Sequence, residues 1–212
     1  MMIAGTSLFL QAPAVKISIQ PLPSRMAMQQ LEKRLNLPEM DISHKLLTDQ
    51  DRIIWENFGL TSDVQSMENA AILTKILTTP FGAAPIPLVN DPTKRALIWL
   101  PNYLKSQDVA YEVSNQNAER FTYHLELAVR FGKVLIIEDC NVIGPLLLSI
   151  ISGVIHSRFN KKFLQVGNKL CDFHDNFKLI LFTKSINGLI TSNISAYITV
   201  IPFTTTLAGL TG

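Results

Sequence analysis

From residue 87 onwards, short apolar runs alternate with amphipathic stretches of helical period. Pro87-Leu88-Val89 is the first run, and Val109 to Val113, Val134 to Ile137, Lys178 to Thr183 and Tyr197 to Phe203 follow it. Apolar runs of this length between polar turns predict strands. Between them, Thr93 to Lys105 reads as a helix with Leu97, Ile98 and Leu100 inward and Pro101 as an irregularity. Ala118 to Phe131 puts Phe121, Leu125, Ala128 and Val129 on one side, and Gly132 ends it. Pro145 to His156 reads as a further helix. Phe163 to Phe173 alternates around Gly167-Asn168, which predicts a β-hairpin. Pro202 comes late in the last run, a position suited to a sheet edge. Strands joined by crossover helices predict an α/β fold, a mostly parallel five-stranded sheet with helices on both faces.

The chain before residue 87 is helical in pattern. Pro13, Pro21, Pro23 and Pro38 interrupt its first part, around a helical stretch from Ser24 to Leu35 with Ser24 as N-cap. Thr48-Asp49-Gln50-Asp51 opens a short helix ending near Gly59, with Trp55 as its apolar anchor. Ser66-Met67-Glu68-Asn69 opens another, with Ala70, Ile72, Leu73, Ile76 and Leu77 on its face. The expected division is a helical segment over residues 1–50 and the α/β domain over 51–212.

Composition narrows the function classes. Hydrophobic residues make up 47%, enough for a full core. A net charge of +2 with 17% charged residues gives no basic surface for nucleic acid. Val142 to Ile155 is too short to cross a bilayer and contains Gly144, Pro145 and Gly153, so no membrane partner is expected. The first residues lack the basic start of a secretory signal. Cys140 and Cys171 have no metal-binding spacing. They favour a reduced, cytosolic setting, with a single disulfide still open.

The strongest chemical pattern is Val134 to Ile137 running into Glu138 and Asp139. In a P-loop ATPase such a strand delivers a Mg²⁺-binding acid and a catalytic acid to the sheet edge. A glycine-rich cradle ending in Lys-Ser/Thr must accompany it. Where that cradle should fall, the chain reads Asn90-Asp91-Pro92-Thr93-Lys94-Arg95-Ala96. Pro92 removes one backbone donor, and no glycine allows close approach to a phosphate. The favoured reading makes Asp91-Pro92 a helix start, with Pro in the first turn, and leaves Lys94 without a cradle. Glu138 and Asp139 then cap a helix or pair with Lys or Arg. His44, His124, His156 and His174 are isolated from one another, and His124 is expected as a packed or edge residue. Nothing specifies a partner that would make Cys140 a nucleophile.

The order of several stretches resembles one family. Asp51 to Asn69 reads DRIIWENFGLTSDVQSMEN; Asp91-Pro92 to Trp99-Leu100, LELAVRFGK at Leu125 to Lys133 with VLIIED after it, Leu164 to Phe173, and FTTTLAGLTG from Phe203 complete the set. Together they resemble the fifth AAA+ module of dynein heavy chains with the end of the stalk-return segment, most of all the cytoplasmic dynein of intraflagellar transport. The family's lead-in form is W-x-x-x-G-L-P-S-D-x-x-S-x-E-N. The chain departs from the family at Thr61, where a proline is usual, and at Lys94-Arg95, where Gln is common. It also carries extra residues at Gly82 to Pro85, and no proline follows Thr183-Lys184-Ser185.

The resemblance implies a P-loop-NTPase-like AAA+ large subdomain without its lid. It implies a degenerate nucleotide site at Asp91, Pro92, Thr93, Lys94 and Arg95, a Walker-B-like pair Glu138 and Asp139, and sensor-1-like Thr183, Lys184 and Ser185. The module itself would need no cofactor and no metal, and ATP with Mg²⁺ would serve the whole motor. Its role would be non-catalytic: relaying conformational change, supporting the strut that braces the stalk, and docking the linker. Partners would be neighbouring AAA+ modules, linker and stalk of the same heavy chain. Light and intermediate chains and the microtubule would be reached only through the full motor. The location would be cytoplasmic and cytoskeletal, in a cilium or flagellum. Because dynein heavy chains are many times longer, a fragment, a partial gene model or a diverged stand-alone module is expected. The rival readings are an active, diverged P-loop NTPase and an unrelated Rossmann-like binding protein.

Overall fold

The computed structural model describes residues 48–159, 161–186, 189–191 and 194–203. The helix expected over Ser24 to Leu35, His44, and most of the closing FTTTLAGLTG stretch lie outside them. Helix α1, Asp49–Asn57, starts with a reciprocal cap. The Thr48 hydroxyl accepts the Asp51 N–H at 3.2 Å, and the Asp51 carboxylate accepts the Thr48 N–H at 3.1 Å. Helix α2, Val64–Thr78, starts before the expected Ser66 because Asp63 is its cap, accepting the Ser66 N–H at 2.8 Å.

Thereafter strands and helices alternate. They are β1 (Ile86–Asn90), α3 (Arg95–Ser106), β2 (Tyr111–Asn115), α4 (Phe121–Phe131), β3 (Val134–Glu138) and α5 (Pro145–Ile151). Then come β4 (Ile155–Arg158), β5 (Lys161–Val166), β6 (Lys169–Asp172), β7 (Lys178–Thr183) and β8 (Ile198–Pro202). The main sheet has the order β2-β3-β7-β1-β8, and every pairing in it is parallel. Strands β4, β5 and β6 form a separate antiparallel sheet.

The unbroken apolar run of β3 serves two cores at once. Leu135 and Ile137 join a cluster with Leu125 and Val129 of α4, Ile150 of α5 and Leu164 of the small sheet. Val134 and Ile136 face the other way, into a cluster with Trp55 of α1, Leu73 of α2 and Trp99 and Leu100 of α3. A strand buried on both faces has no polar alternation to show, which is why it reads as a solid run.

Three expectations are corrected. Ile98 and Ile72 are exposed rather than inward, because the faces of α3 and α2 turn through Trp99 and Leu100, and through Ala70 and Leu73. The helix expected to reach His156 stops at Ile151; Gly153, at φ 63°, turns the chain, and Ile155 to Arg158 pair with β5 instead. The hairpin therefore gains a third strand. The expectation for Pro202 holds. The Tyr197 carbonyl and the Phe203 N–H both bond β1, so alternation turns Pro202 outward on the edge strand. Its carbonyl takes the side-chain amide of Asn69.

Candidate functional site

The carboxyl ends of β1, β3 and β7 converge, the place where open α/β sheets bind ligands. Asp91, Lys94, Leu97, Asp139, Phe182, Thr183 and Lys184 line one hollow there. Its cavity volume of about 10 Å³ is room for about one water molecule. Thus Asp91, Lys94, Asp139, Thr183 and Lys184, from three separate sequence motifs, are brought together. Pro92, Thr93, Arg95, Glu138 and Ser185 lie around the hollow without lining it.

Helix α3 begins at Arg95, not at Pro92. Lys94 occupies the N-cap in a left-handed conformation, φ 59°, and its side chain makes no capping bond. Sequence reasoning expected Pro in the first turn of this helix; Pro92 instead sits in the turn leading into it. The capping is done by Asp91, which is buried. Its carboxylate accepts the Thr93 hydroxyl at 3.0 Å, the Arg95 N–H at 3.2 Å and the Leu97 N–H at 3.1 Å. The N–H groups at a helix N-terminus are an anion site ready to be used. Here a carboxylate three residues upstream of the N-cap already uses them. The Asp91 N–H also donates to the Thr183 carbonyl at 2.9 Å, tying this turn to β7.

The two acids after β3 diverge in role. Asp139, at φ 48°, pairs with Lys184 across 3.0 Å. The hydrogen bond from Lys184 holds its carboxyl below the usual carboxylate range against the opposing effect of burial, and the charges of Lys184 and Lys94 add to it. Glu138 is the register partner of Asn115 on β2 and is not among the residues lining the hollow. Thr183 donates its hydroxyl to the Ser185 carbonyl at 2.7 Å, shaping the turn after β7.

The remaining chemical candidates resolve into structure. Cys140 and Cys171 are both free and buried, and burial pushes the Cys140 thiol up to about 11. That thiol is far from the thiolate a nucleophile needs. His124 bonds Glu112 of β2, which also accepts from Lys133 at 3.0 Å. These bonds hold the Glu112 carboxyl below its usual range against burial. No group of His, Cys, Asp and Glu among the described residues is arranged to hold a metal ion. No helix among them is long and apolar enough to cross a membrane.

Sequence reasoning placed the helix start at Asp91-Pro92; the structure keeps Asp91 as the group that serves the start, an acid just before an apolar-periodic stretch, and moves the first turn to Arg95. Replacing Asp91 should be felt. Asp91→Ala leaves the partly buried Arg95 and Leu97 N–H groups without their acceptor and is expected to cost about 1–3 kcal/mol. Asp91→Asn, which keeps one acceptor oxygen, should cost clearly less. Urea unfolding midpoints of the two variants check this, and equal, negligible losses would refute the capping role.

The family described as the ATP-binding dynein motor region matches residues 53–212. The chain is 36% identical over 180 residues to cytoplasmic dynein 2 heavy chain 1 of Tripneustes gratilla, covering 85% of this chain and 4% of that protein. To the Homo sapiens protein of the same name it is 34% identical over 185 residues, 87% of this chain and 4% of that one. To dynein axonemal heavy chain 11 of Sus scrofa it is 32% identical over 172 residues, 81% and 4% respectively. The chain thus spans about 4% of the length of the curated relatives it matches. With a parallel α/β sheet and a match over most of its length, the chain belongs to the ATP-binding dynein motor region family.

Proposed function

We propose that this chain is a non-catalytic AAA+ module of a dynein heavy chain, one that transmits conformational change driven by ATP hydrolysis elsewhere in the motor. The observation that carries this is the Asp91 carboxylate on the N–H groups of Arg95 and Leu97. A phosphate needs those donors, and an internal anion already holds them. The Lys184–Asp139 pair supports the same reading, since the acid that would bind Mg²⁺ is engaged by an ammonium group. So does the hollow, which is far smaller than a nucleotide. Asp91, Pro92, Thr93, Lys94 and Arg95 are then a former nucleotide site, Glu138 and Asp139 a former Walker-B pair, and Thr183, Lys184 and Ser185 a former sensor. ATP and Mg²⁺ serve the whole motor through other modules. The partners are the neighbouring AAA+ modules, linker and stalk, with microtubules reached through the assembled motor in a cilium.

The test is calorimetric titration of the chain with Mg-ATP. No saturable heat is expected, and a dissociation constant in the low micromolar range would overturn the reading. In a full motor carrying the module, Glu138→Gln is expected to leave ATP turnover near that of the unaltered motor. A severe loss with folding intact would contradict it.

The tip between β4 and β5 supports a docking role. Phe159 is 100% exposed at φ 48°, between Arg158 and Lys161. An apolar ring held out in water beside cations is available to a docking partner, and in this reading the partner tested is the linker. Phe159→Asp is expected to shift stability by less than ~0.5 kcal/mol and to weaken linker docking in the full motor. Unchanged docking in a linker-to-ring distance measurement would refute it.

A further inference from the structure

We propose that α2 is a strut bolted to both ends of the main sheet, by the Asn69 amide at one end and the Lys178 ammonium at the other, so that a displacement of the chain at α1 moves the sheet as one body with it. The proposal rests on the motor-module reading and names the element through which such a module would be driven.

Apolar packing alone would resist sliding of this helix only weakly. Met67, Ala70 and Leu73 of α2 lie in one cluster with Val89, Ile180, Phe182 and Ile201 of the sheet. Burial of that kind is non-directional. Two hydrogen bonds between remote parts of the chain supply the direction. The buried Asn69 donates its side-chain amide to the Pro202 carbonyl. Lys178 Nζ donates to the carbonyl of Thr79, the C-cap of α2.

The two bonds sit at opposite ends of the strands. Pro202 and Thr183 are both register partners of Asn90, so the Asn69 bond lies level with the carboxyl end of β7. Lys178 is the first residue of β7. From Asn69 to Thr79 a helix advances about 15 Å. From Lys178 to Thr183 a strand advances about 17 Å. The lengths agree, so α2 runs against the strands over the depth of the sheet, from the edge strand β8 across β1 to β7.

Each end is fixed by a physical need. Burial holds the Lys178 ammonium below the usual lysine range, and the residues lining the hollow beside it include no carboxylate. A carbonyl at the negative end of a helix is a suitable partner for that cation. At the other end, the turn from α1 into α2 is held by the Thr61 hydroxyl on Ser66 at 2.9 Å, by the Asp63 cap, and by the Asn102 amide on the Phe58 carbonyl at 3.3 Å.

The test is native-state hydrogen exchange of the full chain. Asn69→Asp keeps the shape and loses the donor; Lys178→Met keeps the stem and loses the charge. In the parent, the buried amides of α2 should exchange as slowly as those of β7. In either variant they should exchange about tenfold faster relative to β7, and if one variant fails to fold the other carries the test. In a full motor, the double variant should lose microtubule stimulation of ATP turnover while basal turnover stays with the parent. Exchange that quickens evenly over α2 and β7 overturns the strut. Microtubule stimulation that survives a loosened α2 overturns the relay through it. Failure of the motor-module reading would show separately, as saturable Mg-ATP binding by the parent.

Discussion

Ile136→Asp is expected to abolish cooperative folding of the domain. Ile136 has no solvent exposure, and its strand lies between β2 and β7, with Val113 and Ile180 as register partners. Its side chain projects into the cluster built on Trp99, Leu100 and Leu73. That cluster is built from apolar side chains, so an introduced carboxylate must be buried among them or drag the strand out of the sheet. Burial of an unpaired charge costs several kcal/mol, and the largest single-site losses come from this mechanism. A domain of this kind has about 5–15 kcal/mol in total, so little or no folded population is expected. The control is Ile136→Val, which keeps the strand apolar and should cost about 0.5–1.5 kcal/mol. A second control, Ile98→Asp on exposed α3 surface, should fall within ~0.5 kcal/mol of the parent. Circular dichroism and urea unfolding separate the three. If Ile136→Asp unfolded cooperatively within 1 kcal/mol of the parent, as order-of-magnitude bounds go, β3 would not be the buried strand described.

Trp99→Ala should produce the next largest loss. Trp99 is fully buried where α1 meets α3, with its ring 5.4 Å from Trp55, edge to face, and 5.5 Å from Tyr103, stacked. Truncation leaves a cavity that the α3 backbone cannot close, because Asp91 fixes the helix start and Leu100 and Leu104 fix its seat. Such changes cost about 3–5 kcal/mol, a fall of about 6–20 °C in melting temperature for a chain this size. The indole Nε1 of Trp99 has no hydrogen-bond partner. Trp99→Phe removes that orphan donor and keeps most of the contact, so it should cost much less than alanine. The double variant Trp55→Ala, Trp99→Ala should lose less than the sum of the singles, because the two rings are in contact. Scanning calorimetry reads all of these. Equal costs for Phe and Ala at position 99 would mean that the ring contacts are not what holds α1 to the domain.

Much of the architecture was legible in the residues. The apolar runs at β1, β3 and β7 and the amphipathic face of α4 specify their elements locally, since burial on two faces or one leaves a direct trace in the pattern. Gly132 was legible as the stop of α4, but its full reason was not. A Cβ there would lie 2.3 Å from Nδ1 of His174, a residue far along the chain. The end of α5 was misread because an apolar stretch carries no helix-or-strand label of its own; the hydrogen bonds offered by β5 decided it. The same holds for Ile98 and Ile72, whose exposure depends on which side of each helix its neighbours occupy.

At the site, the sequence by itself determined that a phosphate cradle is missing, because glycine and proline constrain the backbone wherever they stand. It also placed two carboxylates at the end of a buried strand. Only the tertiary structure decided what the remaining groups do. Asp91 meets the helix N–H groups through the turn at Pro92 and Thr93, and Asp139 meets Lys184 across two strands that are distant in sequence. These pairings depend on strand order, and strand order is set by how both faces of the sheet bury their side chains together, a property that no single stretch of the chain contains.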